Sequence, residues 1–411
     1  MSRFIRRLSL VLSLICVIAP ARGFEYRGEA SLEARHFAES ATLNTGDSRQ
    51  HSAIQLSAEF WRGANRGRDL FAFSPYLRLD ARDSQRNLAD IRELSWIHLG
   101  ESYELRTGIR QVYWGVTEGA DLVNIINQTD AADSPNTDRT LGQPMINLAL
   151  EQGDQMLDLF LLIGARERTF PGEDGRLRFP LVVDSDQSRW ESSRGQGSID
   201  LAARWQWNHY PLVLGVSAFS GTAREPEFEL GDSGARPVLT PFYPQIQQLG
   251  LDLQATQGDL LWKLEAIQRW GGREDFQAIN AGFEYTQVGL FGSRMDLGWL
   301  SEGLYDSRGG TVIAPFERDL LLGWRFVFND LAGSEILASA IVDTRTAERV
   351  ISVEGRRRLG NAWSVSAEIL YIGGTPAPQS PTAFLSNPDS RHTLRPLSRD
   401  SYGEIEFSWF F

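Results

Sequence analysis

The sequence predicts an all-β protein, a transmembrane antiparallel β-barrel of about eighteen strands with long loops at one end and short turns at the other. Three observations carry this. From Phe24 onward the chain divides into amphipathic segments of about ten residues, apolar and polar side chains alternating with a period of two. The gaps between these segments are alternately short and long. No run of about 18 apolar residues occurs, which excludes membrane-crossing helices but not strands, since only alternate strand residues touch lipid.

Taken in order, residues 1–23 read as a cleaved export signal. Arg3, Arg6 and Arg7 form a basic start, Leu8 to Pro20 an apolar run, and Ala19-Pro20-Ala21 or Ala21-Arg22-Gly23 a small-residue cleavage site. The only cysteine, Cys16, falls inside this segment, so the processed chain is expected to lack thiols and disulfides. The segment holds four arginines and no acid, so its removal takes the formal charge from −12 to −16. An acidic chain disfavours nucleic acid as a partner. Residues 24–411 then make a single barrel.

The first strand, 25–36, sends Tyr26, Gly28, Ala30, Leu32 and Ala34 to one face and Arg27, Glu29, Ser31, Glu33 and Arg35 to the other. Slipping its register by one would place arginines in hydrocarbon at about 2–4 kcal/mol each, which fixes the register. Strands 53–61 and 70–82 follow, the latter with Arg78, Asp80 and Arg82 inward. A weaker strand at 91–99 turns through Gly100-Glu101 into 103–114. Strands 145–151 and 155–164 are joined by Gly153-Asp154, and 198–207 and 212–221 around Asn208 to Pro211. The second half repeats the pattern at 248–256, 260–270, 278–286, 292–300, 319–328, 335–343, 349–359 and 363–372. Weak alternation near Ile91, Met145 and Arg349 leaves sixteen strands open. An even number puts both chain ends on one side, and every tight turn then falls on that side. A barrel of this size leaves an aqueous lumen.

In the last strand Gly403, Ile405, Phe407, Trp409 and Phe411 share one face, opposite Glu404, Glu406 and Ser408. This end resembles the C-terminal strand of Gram-negative outer-membrane barrels. The resemblance implies that Phe407, Trp409 and Phe411 form the signal read by the outer-membrane assembly machinery. It also implies extracellular long loops, periplasmic turns, and contact with outer-membrane lipid and lipopolysaccharide.

Inward parity assigns Arg78, Arg82, Arg106, Arg110, Arg204, Arg325, Arg356 and Arg358 to the lumen, among acids such as Glu29, Asp80, Glu265 and Glu354. Charge at this density belongs in water. It can form cross-strand ion pairs that keep the barrel round. Alternatively Arg78, Arg82, Arg106 and Arg110 form a patch that binds passing anions, since guanidinium forks suit carboxylate and phosphate.

After strand 103–114 comes Arg110-Gln111, then Trp114-Gly115, an acid at Glu118, and Asn127-Gln128-Thr129-Asp130. Over residues 103–150 this resembles porin-like barrels related to alginate-export channels, whose pattern has Gly-Arg-Gln and Asn-Pro-x-Asp. The resemblance implies passage of a solute or polymer across the outer membrane, and a loop folded toward the pore. Leu122, Val123, Ile125 and Ile126 are too apolar for a free loop, so residues 116–144 are expected to tuck inward. Glu118, Asp121, Asn127 and Asp130 would then stand at a constriction, the alternative being a loop packed over the rim.

Asp130, Asp133, Asn136 and Asp138, with Asp184 and Asp186, could hold calcium, but lack EF-hand spacing; a solvated loop is the expectation, with no metal or cofactor. His36, His51, His98, His209 and His392 show no pattern with Ser or Asp that suggests catalysis. The expected function is a non-enzymatic, porin-like channel for small polar or anionic solutes or a polymer. The alternatives are a non-conducting barrel acting as an assembly or adhesion platform, and a lipid-acting barrel enzyme.

Overall fold

The computed structural model describes residues 23–41, 49–133, 139–234, 236–309, 316–386 and 391–411. The export signal, Gly23 apart, lies outside them. Eighteen antiparallel strands close into one barrel, which settles the strand number. In order they are Glu25–Phe37, Gln50–Ala64, Asp69–Asp80, Leu88–Leu99, Tyr103–Arg110, Gln143–Gln152, Gln155–Ile163, Ile199–His209, Leu212–Thr222, Gln245–Gln257, Leu260–Gly271, Phe276–Gln287, Asp296–Asp306, Arg318–Val327, Glu335–Asp343, Arg349–Leu359, Trp363–Gly373 and Tyr402–Phe410.

Closure is made by the first and last strands, in register from Glu29 opposite Phe410 to Phe37 opposite Tyr402. Beyond that ladder the Gly28 N–H donates to the Phe411 carbonyl (2.8 Å), and the Phe411 N–H donates back to the Gly28 carbonyl (3.0 Å). No strand is left with an unpaired edge. Gly28 is required at the seam, because a Cβ there would lie 2.3 Å from the Phe411 ring.

Alternation separates two environments. Leu32 (52 % exposed), Leu201 (56 %) and Ile369 (62 %) belong to an outward apolar belt. Trp262, Trp299, Trp324, Trp363 and Trp409 ring it near the short turns. A belt this continuous suits hydrocarbon, and the aromatic ring suits a headgroup level. Inward positions of the same strands carry Glu33, Arg35, Asp252, Glu265 and Glu302, all buried.

Three segments depart from expectation. The register between Asp69–Asp80 and Leu88–Leu99 shifts at Ser74/Pro75, leaving one extra residue near Arg92. Ile91 and Leu94 therefore both face outward, which is why the alternation is weak there. The strand expected at 292–300 is Asp296–Asp306, because Gly289 (φ +67°) opens a turn through Leu290–Gly292 that consumes the first residues. The strand expected to reach Trp114 stops at Arg110. Three further strands, Arg189–Trp190, Glu227–Ser233 and Arg236–Tyr243, make a separate small sheet between long-loop segments.

Candidate functional site: the lumen and its inward loop

The segment 111–142 leaves the wall at Arg110 and returns at Gln143. Val123 and Ile126 are fully buried, and with Trp114 and Ile125 they pack on inward-facing Met145, Phe160, Leu162, Phe219, Ile246 and Ile267. These four residues find on the inner wall the apolar contact that water would deny them. Asn127 knits the base of the segment. Its side-chain amide donates to the carbonyls of Arg110 (2.9 Å) and Leu141 (2.8 Å), and its oxygen accepts from the Val112 N–H (2.8 Å).

Two carboxylates from elsewhere on the wall hold the far side. Glu265 accepts the N–H groups of Val116 (2.6 Å), Thr117 (3.0 Å) and Val123 (3.2 Å). Glu302 accepts those of Glu118 (2.9 Å) and Gly119 (2.8 Å), and the Asn280 side-chain amide (2.9 Å). Both anions thereby satisfy backbone donors that have no secondary structure to receive them. The Glu118 carboxylate reaches Lys263 (3.2 Å) and Arg325 (3.1 Å). Asp121 accepts from the Tyr113 hydroxyl (2.5 Å). The segment thus crosses from the strand Tyr103–Arg110 to the strands Leu260–Gly271, Asp296–Asp306 and Arg318–Val327.

Asp130 takes both terminal nitrogens of Arg78 (2.7 and 3.2 Å) and the Thr169 hydroxyl (2.6 Å). Arg78 is 0 % exposed, its Nε donating to the Arg86 carbonyl (2.8 Å). This corrects the expected anion patch: Arg78 lies beneath the loop rather than at the lumen surface, and its charge is already matched. Arg82 is half-buried. Arg106 pairs with Glu104 (2.5 Å), and Arg106 and Arg110 both donate to the Asn147 carbonyl oxygen (3.0 and 3.3 Å). Arg204 is buried in a two-pronged pair with Asp252 (2.6 and 2.8 Å). Arg356 is exposed beside Glu335 (2.7 Å), and Arg358 is exposed.

Of the calcium candidates, Asp133 pairs with Arg86 (2.8 Å) and Arg78 (3.1 Å), and Asp184 accepts from the Asp186 N–H (3.2 Å). Arg78 and Arg86 hold Asp133 below the usual carboxylate range, against the opposing effect of burial. Asn136 and Asp138 lie outside the described residues. Among the described residues no group of three acids or histidines is placed to hold a metal.

Next to the loop is a cavity with about 2250 Å³ of empty space. Its lining includes Glu118, Asp121, Asn127, an arginine group and a band of aliphatic side chains. That band was not expected of a lumen read as charged throughout. Sequence reasoning also missed Arg168, Arg224, Glu225 and Arg308, which lie in long connections where no strand period marks a facing.

No known family's sequence profile matches this chain, nor does any curated protein. Among solved structures it is similar to OccK3 (OpdO) of Pseudomonas aeruginosa, at 10% identity and a TM-score of 0.52, covering 94% of this chain and 95% of that one. OccK5 (OpdH) of the same organism is similar at 10% identity and TM-score 0.52, covering 95% and 97%. OccD3 (OpdP) is similar at 8% identity and TM-score 0.51, covering 95% and 91%. What this chain shares with them is a fold, the closed antiparallel barrel of eighteen strands.

Proposed function

We propose that the chain is an outer-membrane channel for passive passage of small polar or anionic solutes, with the segment 111–142 as its constriction. The observation that carries this is the crossing of the lumen by that segment, held by Glu265 and Glu302. A platform needs no such internal partition. The fold shared with the Occ outer-membrane channels supports the reading. So does the likeness of residues 103–150 to alginate-export channels, from which no particular cargo follows. Selectivity would be set by Glu118 with Lys263 and Arg325, the charged groups nearest the loop's far anchor.

In this reading the apolar belt lies in outer-membrane lipid, with lipopolysaccharide around the long loops. The alternating aromatics Phe407, Trp409 and Phe411 present the final strand to the assembly machinery. Swelling of liposomes carrying the purified barrel tests the function. Sugars and small carboxylates should enter, more slowly as their size grows; absence of swelling with every solute would contradict a channel and favour a platform.

A further inference from the structure

The lumen cavity joins two surfaces of opposite chemistry. Leu304, Leu321, Leu337, Ile341, Val350 and Ile372 turn inward from five neighbouring strands and line one part of it. Barrel closure does not need them, because a water-facing wall is satisfied by serine or threonine. A continuous apolar surface beside water marks a place where an apolar partner sits.

The same cavity is lined by Arg168, Arg224, Arg269 and Arg308. Arg224 is held by Asp200 (2.9 Å), Arg308 by Asp306 (2.6 Å) and Arg269 by Glu225 (3.0 Å). Glu225 also lies 3.4 Å from Arg308. Four guanidiniums thus face three carboxylates. Arg168 is the cation left over: it is 7% exposed, its Nε has no hydrogen-bond partner, and among the described residues it makes no ion pair. A buried guanidinium with free donors is a site for an anionic oxygen.

We propose that this cavity binds amphipathic monoanions, with a carboxylate head at Arg168 and a hydrocarbon body along the aliphatic band. This goes beyond the channel reading in naming the ligand's shape, and rests on it only in requiring that solutes reach the lumen. A chain of several methylenes satisfies both surfaces at once. A sugar acid leaves the band wet, and a neutral alcohol leaves Arg168 unmatched.

Isothermal titration of the full barrel in lipid nanodiscs, with empty discs subtracted, tests this using butyrate, hexanoate and octanoate. Affinity should rise about 2- to 4-fold per added methylene, as expected for a partly buried CH₂. Arg168→Gln should weaken all three about 10-fold without changing that slope. Leu321→Asn with Ile341→Asn should flatten the slope and leave butyrate unchanged. Octanamide on the unaltered protein, which depends on no variant folding, should bind about 10-fold more weakly than octanoate. Equal affinity across the series, or equal binding of octanamide and octanoate, would overturn the proposal. Binding is read apart from liposome swelling, so a ligand failure and a channel failure are told apart.

Discussion

Glu265 serves the loop differently from an aliphatic neighbour. A carboxylate that accepts three backbone N–H groups fixes their direction, whereas apolar contact at Val123 and Ile126 only fixes proximity. Glu265→Ala should leave those N–H groups without their acceptor and weaken loop docking by about 2–4 kcal/mol, after lumen water partly replaces it. Hydrogen exchange at Val116, Thr117 and Val123 should then speed up by roughly 30- to 1,000-fold, with the strand amides unchanged. Glu225 gives a pH signature outside the strands. Burial raises its pKa, but Arg269, Arg308 and Arg168 outweigh this and bring it down to about 2. A depressed carboxylate stabilises the fold fully above its ordinary pKa near 4.5 and loses that contribution as pH falls through about 2. The thermal midpoint of Glu225→Gln should therefore lie below that of the unaltered barrel at pH 6, and the gap should close as pH approaches 2. At this scale the sequence was legible only in part. Leu122, Val123, Ile125 and Ile126 announced an inward loop by being too greasy for water. Parity could place Arg78 on the inner face but not show that Asp130 would cover it.

Strands were legible because lipid on one side and water on the other impose an alternation that nothing else in the chain produces. Where that alternation breaks, so does the reading. The extra residue near Arg92 flips facing in mid-strand, and the strands of the small outer sheet touch no lipid and carry no period. Leu321, Leu337 and Ile341 lie in strands apolar on both faces, which hid the aliphatic band. The seam between first and last strands offers a direct test of packing at this level. Gly28→Ala should destabilise the barrel by about 1–3 kcal/mol through collision with the Phe411 ring. Adding Phe411→Ala should recover most of that loss in urea titrations. Additive losses instead would show that ring and glycine do not touch.

For the molecule as a whole, edge-free closure and a wide lumen follow from strand number, while what passes follows from the segment laid across it. The barrel can stand without that segment, since every wall strand is paired on both sides by its neighbours. Single-channel recording in planar bilayers, comparing the intact protein with one lacking residues 117–138, separates these roles most directly. The account predicts a small steady conductance for the first and a several-fold larger one for the second, at matched salt and voltage. Equal conductances, or none in either protein, would contradict it.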